Sequence, residues 1–108
     1  MAQVRIESAG VRRFELRILQ RKIAGETNTL RVGKGDTVEL VWTTDETVRL
    51  HLHGYDLEAA LTPGTPLQMR FHANVSGRFP IAAHGFGDAA THGGSREKVL
   101  GYLEVHPR

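Results

Sequence analysis

The chain has 108 residues, 40% of them hydrophobic, no cysteine and a formal net charge of +2. Its length suits one domain, residues 1–108, with a modest core that needs no disulfides. The composition excludes thiolate nucleophiles, iron–sulfur clusters and any copper site built on a Cys ligand, and the small net charge argues against nucleic acid as a partner.

Period two dominates the chain. Phe14, Leu16 and Ile18 alternate with Arg13, Glu15 and Arg17, the mark of a half-buried strand. Leu30 and Val32 continue the pattern, and GKGD at 33–36 turns the chain. Val38, Leu40 and Trp42 alternate with Glu39, Val41 and Thr43, and TTDE at 43–46 predicts a second turn. Val48, Leu50 and Leu52 then alternate with Arg49, His51 and His53. LEAALTPGTP at 57–66, with two prolines and a glycine, predicts a loop or a short helical turn leading into a loop. Leu67, Met69 and Phe71 make another strand, followed by a turn at NVSG, 74–77. Phe79, Ile81 and Ala83 alternate with Arg78, Pro80, Ala82 and His84. GFGDAATHGGS at 85–95 breaks all periodicity, and the last strand is predicted from Leu100 to Val105. About seven or eight short strands at regular spacing predict an all-β, antiparallel β-sandwich with Greek-key connections.

The charges are unevenly placed. Arg5, Arg12, Arg13, Arg17, Arg21, Lys22, Arg31 and Lys34 precede a segment rich in acids, Asp36, Glu39, Asp45, Glu46, Asp56 and Glu58. On folded strands the two blocks are expected to pair and leave a mixed surface rather than a docking patch for an anionic partner. No apolar run approaches the length of a membrane span, and the opening MAQVRIESAG lacks the apolar stretch of a signal peptide.

The stretch HLHG at 51–54 raises the question of chemistry. On a strand, residues i and i+2 share a face about 6.5 Å apart, and two imidazoles so placed can converge on one metal at about 2 Å each. The spacing permits chelation without requiring it, because two histidines on a solvated strand face read the same way. Gly54 ends the strand pattern and lets the backbone turn beside His53. His84 and His92 follow in the glycine-rich region, with Asp88 placed to orient a ligand histidine from behind. His72 and His106 fall on outward strand faces and carry no expected role. GKGD and HGFGD lack the lysine and hydroxyl of a phosphate loop. Ser76 and Ser95 have no nucleophile context.

Four segments taken together resemble the cupredoxins, in particular the single-domain cupredoxin-like proteins related to a domain of bacterial iron-uptake proteins. LRVGKGDTVELVW (30–42) resembles the family's strand–turn–strand, and HGYD (53–56) the strand end that carries its first copper histidine. PGTPLQMRFHANVSGRFPI (63–81) resembles the approach to its ligand loop, and LGYLEVHP (100–107) its closing strand. The resemblance implies a copper ion held at His53, with His51, His84 and His92 as further imidazole ligands, and an exported or periplasmic setting. It also exposes a departure. The family's Cys position falls on Ala83, and the only methionines are Met1 and Met69, so a blue-copper His₂Cys site with an axial Met cannot form. The expected function is therefore metal holding or delivery, with Cu(II) the most plausible ion and neither electron transfer nor enzymatic turnover. The alternative is a metal-free interaction module that binds another protein through its loop rim. The H-x-H-G spelling also resembles the histidine pairs of multicopper oxidases, which implies for His51 and His84 a metal shared across a subunit interface.

Overall fold

The computed structural model describes residues 10–25, 28–86 and 97–108, and among these it contains strands and turns but no helix. Among the described residues nine strands form two sheets. The first sheet holds β1 (Val11–Leu19), β2 (Lys22–Ile23), β4 (Thr37–Thr44) and β7 (Leu67–His72), in the order β2-β1-β4-β7. The second holds β3 (Thr29–Gly33), β5 (Val48–Leu52), β6 (Leu57–Leu61), β8 (Gly77–His84) and β9 (Lys98–His106), in the order β3-β9-β8-β5-β6.

The sandwich follows from the alternation. Ile18, Val38, Leu40 and Trp42 of the first sheet meet Leu30, Leu50, Leu52, Ile81, Ala83 and Leu103 of the second in one buried cluster. Each of the larger aliphatic side chains among them contributes about 1.5–3 kcal/mol by leaving water. The Trp42 indole Nε1 has no hydrogen-bond partner among the described residues, so its burial is driven by its apolar area.

Four details depart from the sequence expectation. The sheets are mixed, because β1 pairs with β4 and β3 with β9 in parallel. Hydrophobic alternation reports which face of a strand is buried and carries no information on direction, which depends on where the chain crosses between sheets. Residues 57–61, expected in a loop or helical turn, form strand β6, antiparallel to β5. Their alanines have weak strand preference, and pairing with β5 overrides it. The last strand begins at Lys98 rather than Leu100, and the two-residue β2 was too short to show a period.

The two charge blocks do meet. Arg21 makes a double hydrogen bond to Glu46 at 2.9 Å. Glu39 lies between Arg13 on β1 and Arg70 on β7, with Arg70 the closer at 2.6 Å.

One end of the sandwich is tied by Asp36, only 1% exposed. Its carboxylate accepts from the Gly33 and Gly10 backbone N–H groups at 2.8 and 3.1 Å and from the Arg108 guanidinium at 2.9 Å. A side chain on Gly33 would collide with that guanidinium. Burial works to raise the Asp36 pKa, but the two backbone donors and then Arg108 outweigh it and hold the carboxyl below its ordinary value. The stabilisation is therefore present above the unfolded-state carboxylate range and is lost as pH falls through the lowered folded-state value. Asp36→Asn is expected to lower stability by about 1–3 kcal/mol at neutral pH, measured by urea unfolding. The gap to the parent protein narrows as the solution is acidified, and a variant as stable as the parent at pH 7 contradicts this role.

Candidate metal centre

On β5 the inward residues Val48, Leu50 and Leu52 are buried, which leaves Arg49 and His51 on the outer face. His53 continues that phase just past the strand, where its backbone N–H donates to the Pro80 carbonyl at 3.1 Å. The turn after it is fixed from below. Gly54 has φ +87°, and a Cβ there would run into the Phe79 ring, so the position needs glycine for both backbone and space. Tyr55 sits between Phe71 and Phe79, with ring centroids 5.2 and 5.0 Å away. Its hydroxyl donates to the Val75 carbonyl at 2.7 Å and accepts from the Val75 N–H at 3.1 Å. Asp56 closes the turn at φ 55°, a conformation that Asp tolerates better than most residues.

The two rings lie 4.0 Å apart between centroids. A residue that sequence reasoning missed completes the group. Glu97 Oε1 accepts from His53 Nε2 at 3.1 Å, and Glu97 Oε2 lies 3.4 Å from His51 Nδ1. Ligand atoms of His51, His53 and Glu97 all lie within 4.8 Å of one another.

Glu97 reaches them because of an irregularity in β9. Down the β8–β9 pair, Phe79 faces Leu103 and Ile81 faces Gly101, but the next residue, Ala82, faces Val99. Leu100 is therefore one residue too many on β9, a β-bulge that reverses the phase of everything before it. Leu100 turns into the core and is buried, and Val99 turns outward. Glu97 shares the phase of Val99 and so belongs to the histidine face. Its side chain must span β8, which lies between β9 and β5. There β8 presents Ala82, opposite His51. Ala82 is fully buried yet stands outside the core cluster, because the outer-face side chains cover it. A larger residue there would stand in the way of the carboxylate.

The electrostatics match. Partial desolvation works to raise the Glu97 pKa, but hydrogen bonds from His51 and His53 and their positive charge prevail, and the carboxyl lies below its ordinary value. On the other side of His51, Asp56 Oδ1 lies 3.9 Å from Nε2, and Glu58 of β6 stands directly opposite in the ladder. Three carboxylates thus surround two imidazoles.

The four histidines singled out from sequence fare differently. His51 and His53 come together. His84 pairs with Arg49, at the far end of the β5–β8 ladder from His53, and joins no group of three metal-capable ligands among the described residues. His92 and Asp88 lie outside the described residues. Ala83, the position matched to the family's cysteine, is buried in the core opposite Leu50, so it and His53 do not face one pocket. The imidazoles sit on a sheet face because His51 and His53 follow the β5 alternation, whereas His84 follows β8 four residues beyond the Pro80 carbonyl that binds His53.

No protein-family model matches the sequence, and no curated protein matches it. Solved structures do. A heme-copper terminal oxidase aligns with 87% of this chain at TM-score 0.66 and 21% identity. A blue copper oxidase from Nitrosomonas europaea aligns with 91% at TM-score 0.65 and 20% identity. The copper nitrite reductase of the same organism aligns with 91% at TM-score 0.65 and 18% identity. The match covers 64%, 39% and 42% of those chains, so this chain spans less than two thirds of each. At such identities the likeness concerns the backbone. The two mixed sheets, the single buried cluster between them and these neighbours together establish a cupredoxin-like β-sandwich.

Proposed function

We propose that this protein holds a divalent metal ion, Cu(II) foremost, through His51, His53 and Glu97, for storage or delivery rather than electron transfer. The observation that carries this reading is the spacing of the ligand atoms. Donors about 2.0–2.1 Å from one metal in a tetrahedral arrangement stand about 3.3 Å from each other. Glu97 Oε1 stands 3.1 Å from His53 Nε2 and Glu97 Oε2 3.4 Å from His51 Nδ1, hydrogen-bond separations close to that donor spacing. An ion entering there replaces the protons shared between imidazole and carboxylate, and the groups need move little.

Further observations support the reading. His53 is held by the Gly54 turn and the Tyr55 anchor, so little ordering remains to be done on binding. Two imidazoles and a carboxylate suit Cu²⁺, Zn²⁺ or Ni²⁺, and among divalent ions Cu²⁺ binds such sets most tightly. Neighbours of the same fold are copper proteins by name. The site has no thiolate, which sets aside the blue-copper role. It opens on a sheet face, and the clefts of about 350 and 470 Å³ are lined by other residues; this favours holding over turnover of a bound substrate. An exported setting and kinship with the iron-uptake type of cupredoxin-like protein belong to the same reading and rest on the resemblance of segments 30–42, 53–56, 63–81 and 100–107.

Calorimetry of metal-stripped protein with Cu²⁺ tests it. A saturable sub-micromolar isotherm is expected. His53→Ala and Glu97→Gln should each weaken it by more than the roughly 10–100-fold that follows from altering a group outside the ligand set. Weak, nonstoichiometric uptake indifferent to both substitutions contradicts the reading and leaves the metal-free interaction module. Gly54→Ala tests the support of the site. The strained φ and the Phe79 collision should lower stability by at least about 1–3 kcal/mol, read by thermal unfolding, and should weaken Cu²⁺ binding although the residue offers no ligand atom. Unchanged stability and affinity would show that the turn does not position His53.

A further inference from the structure

We propose that His51 joins two cation sites, one through each ring nitrogen, so that the protein takes up a pair of divalent first-row metal ions. The inference rests on the metal-holding reading above and extends it from one ion to two.

The geometry on the two sides of the ring points to this. His51 Nδ1 faces Glu97 Oε2 at 3.4 Å, whereas Nε2 faces Asp56 Oδ1 at 3.9 Å. His51, Asp56 and Glu58 form a second group whose ligand atoms lie within 4.8 Å of one another. His51 is the one residue common to the two groups among the described residues. The fold places both carboxylates. Glu58 is the direct ladder partner of His51 on β6, and Asp56 occupies the closing position of the β5–β6 turn with φ 55°. The ring itself is held between them, with its side chain only 22% exposed.

A neighbouring cation competes. Arg49 Nη2 stands 3.7 Å from Glu58 Oε1, with both side chains about half exposed. Such surface pairs contribute roughly 0–1 kcal/mol, so a divalent ion can take the carboxylate. The ligand chemistry differs between the sites. The His51–His53–Glu97 side is richer in nitrogen and suits Cu²⁺. The His51–Asp56–Glu58 side is richer in oxygen and suits a second Cu²⁺ or Zn²⁺.

The proton balance is simple. Neutral imidazole has one lone pair and one N–H. The first ion binds at the lone pair and makes the remaining N–H more acidic. When the second ion binds, that proton passes to solvent, and the imidazolate holds one ion on each nitrogen. No electron is transferred.

Copper titration of the stripped protein, followed by calorimetry and electron paramagnetic resonance, tests the pairing. Two equivalents are expected, and the two-copper form should show a weakened resonance signal because a bridging imidazolate couples the spins antiferromagnetically. The double variant Asp56→Asn, Glu58→Gln should take up a single equivalent with full signal intensity. Its thermal unfolding should match the parent, since both side chains are exposed. The pairing is overturned if the two-copper parent shows two uncoupled spins, or if the double variant still binds a second equivalent with parental affinity. A parent that binds one equivalent, lost in His53→Ala, overturns the pairing and leaves the single-ion function standing. A parent with no tight equivalent overturns both.

Discussion

A single extra residue in the last strand organises the functional face. Leu100 has no partner of its own on β8. It turns into the core, and the phase of the chain before it reverses. Without that reversal Val99 and Glu97 would point at the buried side of the sheet. With it, a carboxylate arrives on the outer face and spans Ala82 to reach two imidazoles from a strand two places away. The constraint is local, one residue in β9, and its consequence is a three-residue constellation from segments more than forty residues apart.

The scaffold makes that constellation stiff on one side. His53 belongs to a turn whose glycine lies against Phe79 and whose tyrosine is held between two aromatic rings. The same end of the sandwich is tied by the buried Asp36, which collects donors from the start of β1, the β3–β4 turn and the C-terminal arginine. The sheet faces carry charge ladders such as Arg13–Glu39–Arg70 and Arg31–Glu104. In both ladders the arginines are exposed and the glutamate lies largely covered beneath them; the guanidinium groups keep the outer faces solvated while the apolar cluster holds the sheets together.

Much of the fold was legible in the residues. Val38, Leu40, Trp42, Leu50 and Leu52 announce their burial by alternation, and the GKGD turn is where glycine and aspartate place it. The pairing of His51 with His53 follows from the same period. What the sequence did not disclose has two physical causes. Strand direction is set by where the chain crosses between sheets, so the parallel β1–β4 and β3–β9 pairs are silent in a hydrophobic pattern. Glu97 was hidden by the bulge: read at period two from Leu103 and Val105, positions 99 and 97 fall on the core side. The exposed-type residue Glu97 on an apparently inward position was the available signal that the phase had broken. His84 stands apart from this group for a different reason. It is close in sequence to the matched cysteine position, but the ladder places it opposite Arg49, away from His53.

The most direct test of the account is the titration of the Glu97 carboxyl carbon by nuclear magnetic resonance in metal-free protein. Contact with the two imidazoles depresses its pKa, so its stabilising contribution is present above the unfolded-state value for Glu and disappears as pH falls through the lower folded-state one. The account predicts a midpoint below the ordinary value of a glutamate, and a return to that value when His51 and His53 are both replaced by Ala. A Glu97 midpoint at the ordinary value in the parent protein, unmoved by the loss of both histidines, would contradict it.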